Sequence, residues 1–206
     1  MKNTVELIGH YGSDLTHACS AWTSTSRELT PEKMERVPAL LKMLADAGHH
    51  TPFEKSMLHF LVRVDTATHI HLLKHRIGVS INGESARYKE LKEPECLIPS
   101  DWPEEIKMSL QYHHDSAVEL YHYQIKKLEP IVGRKRAKES ARFFLPYSNI
   151  LTLDVSFNWR SFHHFLSLRA KPEAQLEIRE LAEEMLKQVR EIEGSPFKHT
   201  IEAFGH

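Results

Sequence analysis

Lys74-His75-Arg76 places two cations and an imidazole side by side, and after eight further residues come Ser85, Ala86, Arg87 and Tyr88. Asn82 and Glu84 lie between. Guanidinium and ammonium groups neutralise phosphate, while amides, hydroxyls and a carboxylate read the rest of a ligand by hydrogen bonds. The set therefore suits an anionic, hydrogen-bonding ligand such as a nucleotide. Ser85 has no Gly-x-Ser-x-Gly elbow to make it a nucleophile, so it is read as a binding residue. His71 and His75 are four apart with His69 near, a spacing that can ligate a metal. No His-Glu-x-x-His arrangement accompanies them, and no metal is expected. Cys19 and Cys96 stand far apart, outside any Cys-x-x-Cys pattern. Neither has the context of a catalytic thiol.

These residues need elements to hold them. Ile70, Leu73 and Ile77 fall at helical spacing, which predicts a helix from Thr68 to Ile77 stopped at Gly78. The polar, Gly-punctuated residues that follow read as a loop. Thr4–Ile8, Met57–Asp65 and Leu151–Phe157 alternate as strands do. In Met57–Asp65, Leu58, Phe60, Val62 and Val64 form the inner face. Helices are expected over Asp14–Ser24, with Leu15, Ala18, Cys19 and Trp22 inward, and from Thr30-Pro31 to Gly48. A long helix opens after Trp102-Pro103 with Ile106, Leu110, Ala117, Leu120, Tyr121, Gln124 and Leu128 along one side, and ends at Pro130. Gly133–Phe144 forms another, with Arg142 in mid-helix and Ala137, Ala141 and Phe144 packed. Asn158 caps a helix carrying Phe162, Phe165, Leu166 and Arg169. The last long helix opens at Lys171-Pro172-Glu173, and a short one restarts at Pro196. Few strands and many helices without regular alternation predict an α+β class. The expectation is a single domain over residues 1–206, a small mostly antiparallel sheet packed with several long helices.

Composition narrows the function classes. With 27 basic and 28 acidic residues the chain has a net charge of −1, which argues against a general nucleic-acid or membrane-surface binder. No signal peptide or bilayer-length apolar run is read, and two cysteines make no disulfide framework, so a cytoplasmic protein is expected.

Four stretches together resemble the flavin-dependent thymidylate synthases. The family's Arg-His-Arg, seven residues, then Ser stands here as Lys74-His75-Arg76, eight residues, Ser85, continuing to Arg87-Tyr88. Lys74 keeps the first charge and loses the bidentate fork. With the longer loop either Gly83 or Glu84 fills the family's Glu position; Glu84 is taken, because glycine cannot do a carboxylate's chemistry. Gly48-His49-His50-Thr51-Pro52-Phe53-Glu54 resembles Gly-His-x-Thr-Pro-Phe-Glu. Ser140-Ala141-Arg142-Phe143-Phe144-Leu145-Pro146 resembles Ala-Arg-x-x-Leu-Pro. Asn158-Trp159-Arg160-Ser161 through Arg169, with Ala174-Gln175-Leu176-Glu177-Ile178-Arg179, resembles the family's Asn-x-Arg-Ser and Ala-Gln-x-Glu-Ile-Arg.

The resemblance implies reductive methylation of dUMP to dTMP. It implies 5,10-methylenetetrahydrofolate as one-carbon donor, FAD reduced by NADPH as hydride source, and a homotetramer with shared active sites. It implies Arg169 as the catalytic residue, set against the uracil. For dUMP it implies His71, Leu72, Leu73, Lys74, Glu84, Ser85, Ala86, Arg87, Arg142 and Arg169. For FAD it implies Thr51, Lys74, His75, Arg76, Glu84, Asn158, Trp159, Arg160 and His164.

Overall fold

The computed structural model describes residues 2–85, 90–92 and 94–206; the expectations placed on Ala86, Arg87 and Tyr88 lie outside the described residues. Four strands, β1 (Thr4–Tyr11), β2 (Met57–Asp65), β3 (Val79–Gly83) and β4 (Ile150–Phe157), form an antiparallel sheet in the order β1-β2-β4-β3. Among the described residues there are eight α-helices: α1 (Asp14–Trp22), α2 (Pro31–Glu35), α3 (Val37–Asp46), α4 (Thr66–Leu72), α5 (Glu104–Ala141), α6 (Trp159–Arg169), α7 (Leu176–Arg190) and α8 (Lys198–Ala203). The class is the α+β one that the pattern of elements predicts.

Local chemistry sets most of the boundaries. Ser13, Thr30, Asp65 and Asn158 cap α1, α2, α4 and α6 by accepting a backbone N–H three residues on. The alternation of β2 leaves Leu58, Phe60, Val62 and Val64 fully buried.

Several elements differ from their sequence expectation. The helix expected from Thr30 to Gly48 is two, parted at Arg36, because Pro38 lacks an N–H and is accepted only in a first turn. In α1 the inward residues are His17 and Ala18, while Leu15, Cys19 and Trp22 are only half-buried. α4 stops at Leu72 and buries Thr68 and Leu72, while Ile77 is 91% exposed. The Asp65 cap fixes the phase of that short helix, and three aliphatics at helical spacing did not outweigh it. The stretch read as a loop contains β3, because pairing beside β4 supplies backbone partners that local composition cannot foresee. Pro130 lies inside α5, and the break falls at Gly133, whose φ of 79° and ψ of 156° are not helical. The buried line of α5 is His114, Ala117, Tyr121 and Ile125; Ile106 and Leu120 are exposed. α5 ends at Ala141, so Arg142 opens a short 3-10 turn (Arg142–Phe144) rather than standing in mid-helix, and Phe144 is exposed. α7 starts at Leu176, leaving Lys171–Ala174 outside it.

The chain divides into two compact units. One comprises Met1–Thr4, Val62–Lys74 and Asn82–Leu153; the other comprises Val5–Leu61, His75–Ile81 and Asp154–His206. In the first, Leu91, Tyr121, Ile125 and Ala141 make a small core, and the Leu91 N–H donates to the Tyr121 hydroxyl at 3.2 Å. The second is built on aromatic rings. Trp159 lies parallel to Phe197 with centroids 6.0 Å apart, and Phe162 stacks on Phe60 at 5.7 Å. Each such ring removes a large apolar area from water, and truncating one costs ~3–5 kcal/mol. That packing fixes where α6 begins.

Candidate functional site

In the second unit a cleft of about 390 Å³ opens at the start of α6. It is lined by His50, Glu54, Ile77, Gly78, Asn158, Arg160, Ser161, His163 and His164. Its size falls within the ~300–1,000 Å³ of small-molecule sites. The floor is a close approach between Gly78 and the α6 cap. The Asn158 N–H donates to the Gly78 carbonyl at 3.3 Å, the Ser161 hydroxyl donates to the same carbonyl at 2.7 Å, and Asn158 Oδ1 accepts from the Ser161 N–H at 2.9 Å. Gly78 has a φ of +68°, and a Cβ there would lie 2.6 Å from Asn158 Nδ2. Only glycine fits both demands.

Two features favour an anion. The N-terminal end of α6 is the positive end of a helix dipole, although its Trp159 and Ser161 N–H groups are already taken by Ser56 Oγ and Asn158 Oδ1. Arg160 stands in its first turn and pairs with Glu54 at 2.6 Å, half-exposed, where a ligand's charge can compete for it. The remaining walls are the imidazoles of His50, His163 and His164, with Ile77. His163 Nδ1 and His206 Nε2 are 2.9 Å apart, and burial, with His206, His50 and His164 adding, holds His163 down to about 4. At neutral pH His163 is an uncharged, flat wall. A cation, a helix start and the neutral ring of His163 together fit a planar heteroaromatic ligand bearing phosphate, which is the chemistry of a flavin nucleotide.

Of the residues expected at the flavin, Asn158, Arg160 and His164 line this cleft. Thr51 opens the 3-10 turn (Thr51–Glu54) that supplies Glu54. Arg76 is exposed and precedes Ile77. Trp159 is fully buried, so its ring cannot meet a ligand; its backbone N–H donates to Ser56 Oγ at 3.3 Å, while the indole Nε1 is buried with no hydrogen-bond partner among the described residues. His75 is buried, its ring 6.1 Å from that of His164 and 5.1 Å from that of Phe165. Arg169, in the last turn of α6, donates from Nε to His75 Nε2 at 3.0 Å. Sequence reasoning did not place His50, Ile77, Gly78, Ser161 or His163 at the site. Ser161 alone left a signal, its position three residues past the Asn158 cap.

In the first unit, α4 and the residue after it carry His71, Leu72 and Leu73, with Lys74 following. Leu72 is fully buried and can offer only backbone, while Leu73 and Lys74 are exposed. His71 Nδ1 is buried with no protein hydrogen-bond partner. Glu84, whose N–H donates to the Thr152 carbonyl at 2.9 Å, and Ser85 follow β3. A Cβ on Gly83 would come within 2.8 Å of Leu153 Cδ2, so a side chain there would require Leu153 to shift. Arg142 is exposed, its guanidinium 6.0 Å from the centre of the Phe143 ring. Among the described residues no group of three or more histidine, cysteine, aspartate or glutamate side chains is placed to hold a metal ion.

Residues 6–193 match the family model described as thymidylate synthase complementing protein. A flavin-dependent thymidylate synthase from Pseudothermotoga lettingae is 31% identical over 185 residues, covering 88% of this chain and 82% of that protein. One from Thermosipho africanus is 32% identical over 194 residues, covering 88% and 83%. The crystal structure of a UMP/dUMP methylase from Streptomyces cacaoi bound with 5-Br dUMP superposes with a TM-score of 0.78 at 29% identity, covering 98% of this chain and 94% of that one.

Proposed function

The chain belongs to the thymidylate synthase complementing protein family, and from that premise we propose its reaction and the residues that serve it. It is a flavin-dependent thymidylate synthase, a methyltransferase that converts dUMP to dTMP. The observation that carries the assignment is the family match from residue 6 to residue 193, which runs through both compact units. In the proposal 5,10-methylenetetrahydrofolate gives the one-carbon unit and leaves as tetrahydrofolate, and NADPH reduces the flavin, FAD. The bound flavin supplies the reducing equivalents that turn the transferred methylene into a methyl group.

The chain's own part is binding, orientation and charge. The α6 start and Arg160 hold the flavin's phosphate, with Asn158 and His164 at the same cleft and Thr51, Arg76 and His75 beside it. Lys74, Glu84, Ser85 and Arg142, with Ala86 and Arg87 from the sequence, hold the nucleotide, joined by the backbone of His71, Leu72 and Leu73. Neutral uracil is a poor carbon nucleophile. A guanidinium at the ring, Arg169, lowers the free energy of its ionised form and so raises its reactivity at C5. The whole chain acts as one synthase domain within a homotetramer with shared active sites. Two cysteines far apart in the sequence, Cys96 buried, accord with a cytoplasmic setting, and no helix among the described residues is long and apolar enough to cross a membrane.

An absorption spectrum of the purified protein tests this. A yellow protein is expected, bleached by NADPH without oxygen and reoxidised as dTMP forms from dUMP and methylenetetrahydrofolate. A colourless protein that cannot be reconstituted with FAD overturns it, and bleaching without dTMP reduces the chain to a pocket that binds and does not turn over.

A further inference from the structure

We infer that His75, expected from the sequence to be a flavin ligand, is a positioning residue that acts through Arg169. The inference rests on the synthase reading and deepens it at the same site. The guanidinium has donors only, so in the 3.0 Å contact His75 Nε2 must be the acceptor. That requires a neutral imidazole with its proton on Nδ1. An imidazolium would offer no lone pair and would set two cations against each other. The ring is itself fixed: His75 is 7% exposed and meets the edge of Phe165 at 5.1 Å and 79°.

The atom engaged decides the consequence. An arginine held at Nε keeps both Nη groups, and their outward edge, for another partner. Two parallel N–H donors match two adjacent acceptors, and an ionised uracil presents such pairs, N3 with O2 or N3 with O4. The buried acceptor also removes the rotation that a half-exposed arginine at a helix end otherwise keeps. His75 thus prepares Arg169 for the ring before the nucleotide arrives, and its effect falls on the ionised, reacting form more than on flavin binding.

Three variants separate this from a flavin-ligand or packing role. His75→Gln puts an amide oxygen where Nε2 stands. His75→Asn carries the same amide but stops one atom position short, at the place of Nδ1. His75→Leu fills the space with no acceptor. The expected result is flavin content per chain and melting temperature close to wild type in all three. The kcat for dTMP formation should fall by roughly tenfold or more in Leu and Asn and return to within about threefold in Gln. In an Arg169→Ala background His75→Leu should cost nothing further, since the two act as one unit. Wild-type kcat in both Leu and Asn overturns the inference. So does loss of flavin in step with activity, or a Gln variant no better than Asn, and the Asn–Gln comparison still decides if Leu fails to fold. A wild-type protein that makes no dTMP overturns the synthase reading and this role with it, an outcome distinct from active wild type with indifferent variants.

Discussion

Gly78→Ala tests whether the close approach beneath the cleft shapes the site. At a φ of +68° an alanine is strained, by ~1–2 kcal/mol for an L-residue in the left-handed region. Its Cβ would also lie 2.6 Å from Asn158 Nδ2 and 3.1 Å from Ser161 Oγ. Asn158 is not free to swing aside, because its Oδ1 accepts the Ser161 N–H at 2.9 Å; losing that cap costs about 1 kcal/mol more. The sum is about 2–3 kcal/mol, which for a chain of this length lowers the melting temperature by about 5–10 °C. The displaced Asn158 and Ser161 both line the cleft, so flavin retention should weaken as well. Thermal unfolding followed by circular dichroism, with flavin released on gel filtration, reads both effects. An alanine variant that melts with wild type and keeps its full flavin would show that the geometry between Gly78 and α6 is not as described.

Arg169→Ala should lower dTMP formation by roughly 10²–10³-fold, the scale for removing a donor at developing charge, while much of the flavin stays bound; full activity refutes its role. Lys74→Arg should be tolerated, since the charge is kept and the fork regained, and a collapse of flavin or dUMP binding would mean that the residue aligns otherwise with the family's first arginine. Cys19→Ala and Cys96→Ala should both turn over dUMP; loss of methylation with the fold intact would restore a thiol mechanism. His17 is fully buried and held down to about 4 by burial, so it is neutral in the folded chain and protonates near 6.5 in the unfolded one. Its contribution is therefore complete above pH 6.5 and is lost as pH falls toward 4, by about 3 kcal/mol in all at ~1.4 kcal/mol per unit. His17→Asn, whose amide stands at the place of Nδ1 and so keeps a partner for the Thr200 hydroxyl, should flatten the pH dependence of the urea midpoint over that range, and an equally steep loss would place the titration elsewhere.

Much of the fold is written in local chemistry. Side-chain caps at Thr30 and Asn158, the proline after Thr30 and the alternation of Met57–Asp65 each specify an element through contacts within a few residues. The misplacements share one cause. α4, β3 and the turn at Arg142 are short, and a short segment has too few residues for periodicity to outvote a cap, a strand partner or a helix end. The site divides the same way. Asn158, Arg160 and His164, which line the cleft, were legible because the resemblance rests on a run of residues along one helix with a recognisable start. His50, Ile77, Gly78 and His163 were not, because their relevance depends on segments distant in sequence meeting at the first turn of α6.

The sequence by itself determined the α+β class, most helix starts, the family and the residue types that can bind a flavin and a nucleotide, since all of these follow from side-chain identity and near-neighbour spacing. Only the tertiary structure decided that Trp159 belongs to the core, that Gly78 must be glycine and that His75 faces Arg169. Those outcomes depend on which surfaces the aromatic packing of Phe60, Phe162 and Phe197 brings within van der Waals distance, and no local pattern in the chain encodes such a meeting.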